Sequence, residues 1–184
     1  MHLNGRIFLA PSLAVGLGCA TSGTPTRGQP QTVTIEVPDA ATSRVVLRDD
    51  PSGSTLELAV PAARAWTAVP AAYNVLPIPV VAFDSTRRTI QGSASAYRRF
   101  LRSSVSRFVD CGSTIVGPSA DSYRVQLSVE SQVEALSDTT SSLHTRVDAS
   151  AAGGSGTIHC STTGSLERLV NSQVAELLGQ QPAN

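Results

Sequence analysis

The chain has 184 residues, 41% apolar but only 4% aromatic, so any core must be built from Val, Leu, Ile and Ala. Its 14 basic residues, all arginine, balance 14 acidic ones, which excludes the basic excess of a nucleic-acid-binding surface. The length suffices for one domain, and the missing lysine points to a GC-rich genome rather than to a function.

Met1, His2 and Arg6 make a short, weakly positive start, and Ile7 to Gly18 follow without a charge. A membrane-spanning helix needs about twenty apolar residues; this shorter run has the length of a signal-peptide core. Gly18 precedes Cys19, and small polar residues follow at once. The stretch resembles the lipobox of bacterial lipoproteins, where a small residue precedes a cysteine that is diacylated and becomes the first residue of the mature chain. Gly16 stands where such boxes usually carry Leu. The resemblance implies a signal peptide over 1–18 and lipidation at Cys19. With Ala20 rather than Asp after the cysteine, it also implies a place in the cell envelope, on the outer membrane facing the periplasm. Secretion with cleavage nearby and an ordinary apolar N-terminal helix are the alternatives. Acyl chains, at roughly 0.8 kcal/mol per buried methylene, would hold the protein firmly on a membrane. With Cys19 given to lipid, Cys111 and Cys160 remain as an even pair. In an oxidising compartment such a pair is expected to form a disulfide. Two free structural thiols are the alternative, and a reactive or metal-binding pair is a remote one. Neither a CxxC nor paired histidines are present, so no zinc site, and no metal or cofactor of any kind, is expected.

Residues 20–31, rich in Thr, Gly and Pro, read as a flexible tether. From 32 to 179 one domain is expected. Strand alternation places strands over 32–37, 43–48 and 55–60, the last two separated by a turn at Asp49, Asp50, Pro51 and Gly53. Trp66, Val69, Tyr73 and Leu76 recur at helical spacing over 61–76. Pro61 suits the first turn, Pro70 is expected to kink the helix, and Trp66 is expected to be buried beneath it. Residues 78–83 read as a strand and 84–88 as a turn. A second strand runs through "TIQGSASAYRRF" with a bulge at Gly92. Residues 102–112 read as a short helix or irregular crossing. In "YRVQLSVESQVEAL" Tyr123, Val125, Leu127 and Val129 alternate with polar residues, and "SSLHTRVDASA" is the expected antiparallel partner. After the flexible "GGSG", Leu166, Leu169, Val170, Val174, Leu177 and Leu178 form the apolar stripe of a long terminal helix. Thr162 or Thr163 would cap its start and Gly179 its end, leaving 180–184 as a frayed tail. Strand runs with helices in two places predict an α+β fold. The economical solution is a curved antiparallel sheet packed on the C-terminal helix.

The segment from "AWTAVPAAYNVLPIPVVAFDSTRRTI" to the last helix resembles the helix-grip domains of BamC-type outer-membrane lipoproteins. Trp66, Ile78, Val80, Asp84 and Ile90 carry the likeness, over about residues 55–179. The chain also resembles a group of bacterial envelope proteins of unknown activity, through "AW…Y…IPV", Arg107 to Gly112, "YRV" and the late His159–Cys160. The BamC-type proteins have two such domains and a long N-terminal segment that docks a partner; this chain has one domain and a short tether, so that docking is not implied.

Little points to catalysis. His144 sits on the polar side of a predicted strand, His159 adjoins Cys160, and no nucleophile elbow or phosphate loop is present. Arg87, Arg88, Arg98, Arg99, Arg102 and Arg107 are grouped without an intervening acid. They read either as a solvated edge that discourages aggregation or as a contact for an acidic partner or anionic lipid. A hairpin over 78–100 would put Arg87 and Arg88 at its tip and the others at its far end. The expected function is therefore a non-catalytic, membrane-anchored lipoprotein acting through a protein partner, within envelope or outer-membrane assembly. The alternative is a module binding a small apolar ligand or lipid in a cavity between sheet and terminal helix.

Overall fold

The computed structural model describes residues 32–33, 47–50, 53–153 and 156–180. The expected leader, Cys19, the tether and nearly all of the tail lie outside the described residues, as do most of the first two predicted strands.

The elements in chain order are β1 Thr32–Val33, β2 Leu47–Asp50, β3 Gly53–Leu58, α1 Ala62–Val75, β4 Val80–Asp84 and β5 Thr89–Tyr97. Short pieces follow: β6 Arg99–Phe100, β7 Ser103–Ser104, a 3-10 turn Val105–Arg107, β8 Val109–Asp110, β9 Ser113–Thr114, β10 Gly117–Pro118 and α2 Ser119–Ser122. The chain ends with β11 Arg124–Ala135, β12 Ser141–Gly153, β13 Gly156–Thr162 and α3 Ser165–Leu177. This is the expected α+β class, with an open antiparallel sheet and a C-terminal helix.

Three long strands make the centre of the sheet. β11 pairs with β12 on one side and β5 on the other, so that Val129 faces Val147 and Gly92 in turn. Each outer edge is shared by two shorter strands. β12 meets β3 over Ser141–Thr145 and β13 over Ala149–Gly153. β5 meets β4 over Thr89–Gly92 and β6 at Tyr97. Side chains alternate across a strand, so Val125, Leu127, Val129, Ser131 and Val133 of β11 all face one side and are buried. Both long helices lie on that side, and the other faces solvent.

α1 joins β3 at one edge to β4 at the other, crossing β12, β11 and β5. Its buried stripe is Ala62, Ala65, Ala68, Val69, Ala72 and Tyr73. Small residues bring the helix close to the sheet, too close for an indole, so Trp66 is not buried beneath it as expected. Trp66 is half-buried at the flank, its ring 4.8 Å from that of Phe83 on β4. Gly92 is not a bulge either. It is the seat beneath α1, where a Cβ would meet Ile78 Cγ2 at 2.5 Å and Tyr73 Cε1 at 2.8 Å. The bulge falls on the partner strand, between Val80 and Ala82.

α3 lies beside α1 and over β12 and β3. Its buried face is Leu166, Glu167, Val170, Asn171, Val174 and Ala175. The helix is thus rotated from the expected stripe: Leu177 is exposed, and two polar residues take inward positions because partners await them. Thr162 Oγ1 donates to Glu167 at 2.6 Å and accepts from the Gly164 N–H at 3.0 Å, while Gly164 itself, at φ 75°, begins the helix. Gly179, at φ 72°, closes it as expected: its N–H reaches Glu176 O and that of Gln180 reaches Ala175 O, the paired bonds of a Schellman end.

The stretch 105–123 supplies a third cover. Val105, Phe108, Val109 and Ala120 are buried with Val125, Ala96 and Ala151 in one continuous core. Small sheet residues leave the room that this cap fills.

Candidate functional site

The predicted arginine group divides as the hairpin reading requires. Arg87 and Arg88 lie at the β4–β5 turn, where Asp84 Oδ1 accepts the N–H groups of Thr86 and Arg87 at 2.9 and 3.0 Å. Arg98, Arg99 and Arg102 lie at the opposite end of β5, and Arg107 follows in the 3-10 turn, whose Val105 N–H donates to Arg98 O at 3.2 Å; the Arg107 carbonyl accepts Thr163 Oγ1 at 2.7 Å. Arg98 (φ 61°), Leu101 (φ 48°) and Arg102 (φ 65°) are left-handed. Leu101 and Arg102 form the two-residue turn of the β6–β7 hairpin, where both φ values must be positive and Asn-Gly is the usual choice. The Arg98 guanidinium lies 5.4 Å from the Tyr97 ring centre.

The uncovered face of the sheet is polar and cross-linked. Arg146 lies 3.6 Å from Glu130 and 3.4 Å from Asp148, and Gln91 donates to Glu130. His144, half-buried, pairs with Thr55 Oγ1 at 3.0 Å, and His159 is exposed on β13. A groove of about 450 Å³ opens where β4 leaves this face, lined by Phe83, Asp84, Arg87, Gln91, Glu130 and Gln132. Its carboxylates are already engaged, Asp84 by backbone N–H groups and Glu130 by Arg146 and Gln91. Among the described residues no three His, Cys, Asp or Glu side chains gather as a metal cage would require.

On the covered face a buried hydrogen-bond chain crosses the sheet. The Tyr73 hydroxyl donates to Ser131 Oγ at 3.0 Å, and Ser131 and Thr145 hydroxyls share a bond of 2.8 Å. Thr145 Oγ1 donates to Asn171 Oδ1 at 2.7 Å, and Asn171 Nδ2 donates to Ser54 O at 3.1 Å. Five elements on both sides of the interface, α1, β11, β12, α3 and β3, are joined this way. Burial pushes the Tyr73 phenol up to about 12; the Ser131 bond opposes that shift and the Glu130 charge adds to it. Sequence reasoning passed over this chain, because a serine or threonine at an inward position looks like an ordinary strand residue.

The space in which the alternative reading places a ligand is filled. A ligand cavity of about 300–1,000 Å³ leaves accessible surface on its walls. Leu127, Val129, Leu143, Tyr73, Val170 and Val174 have none.

Cys111 and Cys160 are bonded, S–S 2.02 Å, as predicted. The bond ties the cap to β13 next to the pairing of Ser161 with Asp110. His159 therefore has no neighbouring thiolate to activate. No family model matches the chain, and no curated protein matches it significantly.

Proposed function

We propose that the chain is a non-catalytic lipoprotein of the cell envelope, acylated at Cys19 and held on the outer membrane, that works through contact with a protein partner. The single observation that carries this reading is the Cys111–Cys160 disulfide. Such bonds persist in exported proteins and are rare in a reducing cytosol, and export is what the apolar run before Cys19 predicts. α3 laid over the sheet beside α1 supports a helix-grip arrangement of the BamC kind. The filled interior favours a scaffold over a ligand carrier. The polar sheet face and its groove, with Phe83 and Arg87 at the rim, offer the surface for a partner.

Intact mass of the protein extracted from its own membranes tests the reading. The expected mass begins at Cys19 and carries a diacylglyceryl group, and Cys19→Ser moves the protein to the soluble fraction. Affinity capture of the acylated form then recovers one envelope protein, lost with Phe83→Ala/Arg87→Glu and kept with His159→Ala. An unmodified leader overturns the proposal.

A further inference from the structure

We propose that the end of the sheet where Tyr97 lies is a docking face for an anionic lipid surface. Ile115 and Val116 would enter the interface while Arg98, Arg99, Arg102 and Arg124 engage lipid phosphates.

Ile115 and Val116 are the most exposed large apolar residues among those described, at 106% and 87%. They form the turn between β9 and β10, where Thr114 faces Gly117. Turn centres favour Gly, Asn, Asp or Ser. Two β-branched apolar residues there gain nothing from packing, and a local rule broken without a folding benefit marks a functional position. The arm that carries them is braced. Ser119 N–H donates to Gly112 O at 2.9 Å, Thr114 Oγ1 donates to Gly117 O at 3.0 Å, and Cys111 is bonded to β13.

Strand directions bring the remaining parts to the same end. β8 runs antiparallel to β13 and so heads toward the end where β13 begins, with the Ile115–Val116 hairpin following. β11 starts there at Arg124, whose register partner is Tyr97; Arg98 and Arg99 come next, and Arg102 lies in the adjoining turn. The four arginines are exposed. The nearby acids are occupied: Asp121 accepts from Ser106 N and Oγ at 2.9 and 2.7 Å, and Asp110 accepts from Gly112 N at 2.9 Å. An apolar tip fringed by arginine matches an anionic membrane surface, which takes apolar side chains at its boundary and cations at its phosphates.

The tip's own affinity does not depend on a lipid at Cys19.

The test places a polarity-sensitive fluorophore on Val116→Cys in the protein extracted from its membranes. The protein is then reconstituted on vesicles of phosphatidylcholine, or of phosphatidylcholine with phosphatidylglycerol. On the anionic vesicles the emission shifts to the blue and quenching by aqueous iodide falls about tenfold; on neutral vesicles neither occurs. Arg98→Gln/Arg99→Gln/Arg102→Gln abolishes the shift, and the same label on Ser85→Cys, at the opposite end, stays water-like. Unchanged thermal melting of each variant shows that folding is intact. A label at 116 that stays water-like on anionic vesicles overturns the proposal, as does an equal shift at 85. So does a shift seen on native membranes but not on vesicles of their extracted lipid, which assigns the tip to a protein. Labelling of Cys19 without an introduced cysteine reports failed acylation separately, and the tip is then measured on Cys19→Ser.

Discussion

Tyr73 reaches through the helix-covered face to Ser131, and its hydroxyl begins the hydrogen-bond chain that ends at Ser54. Tyr73→Phe leaves Ser131 without that donor and is expected to cost about 1–2 kcal/mol at pH 8. The pH dependence follows from the raised pKa. An unfolded tyrosine ionises near 10, whereas Tyr73 in the fold holds its proton to about 12. Between these values the unfolded chain binds fewer protons than the native one, so stability falls as pH rises through the window and levels above it. At pH 11 the loss is about 1.4 kcal/mol. Urea midpoints at pH 8 and 11 check it: the wild type loses this increment and Tyr73→Phe does not. Residues of this kind were poorly legible in the sequence. Alternation points Ser131 and Thr145 inward, but nothing in the pattern says that Asn171, from a leucine-rich helix, is there to meet them.

Elements were more legible than their contacts. The period-two patterns of β11 and β12 and the leucine spacing of α3 identify each element, because one face of each is buried against a continuous core. The rotation of α3 was hidden, since it is set by hydrogen bonds to Thr162, Thr145 and Ser54 rather than by hydrophobicity alone. Gly92 shows the same limit: a glycine in a strand reads as a bulge until the helix that crosses it is known. Gly92→Ala is expected to destabilise by about 1–3 kcal/mol, because Tyr73 and Ile78 must move to admit a methyl group. A lowered melting temperature checks the prediction. The 105–123 stretch was the least legible element, being built of two-residue strands and a single 3-10 turn with no period to read. Ile115 and Val116 were missed with it.

Across the whole molecule, one sheet face carries three covers, α1, α3 and the cap, and among the described residues only the cap is cross-linked to the sheet by a disulfide. Cys111 and Cys160 are 49 positions apart. On chain entropy their bond contributes about 4 kcal/mol, and Cys111→Ser/Cys160→Ser should lower the urea-derived stability by about 2–5 kcal/mol. The loss is not expected to be even. α1 and α3 bear on the far half of the sheet and on each other, whereas the cap is held by β8, the 3-10 turn and α2, each of four residues or fewer. A reductant should therefore act as a latch release, with amide exchange rising first across 105–123 while β11 and β12 stay protected.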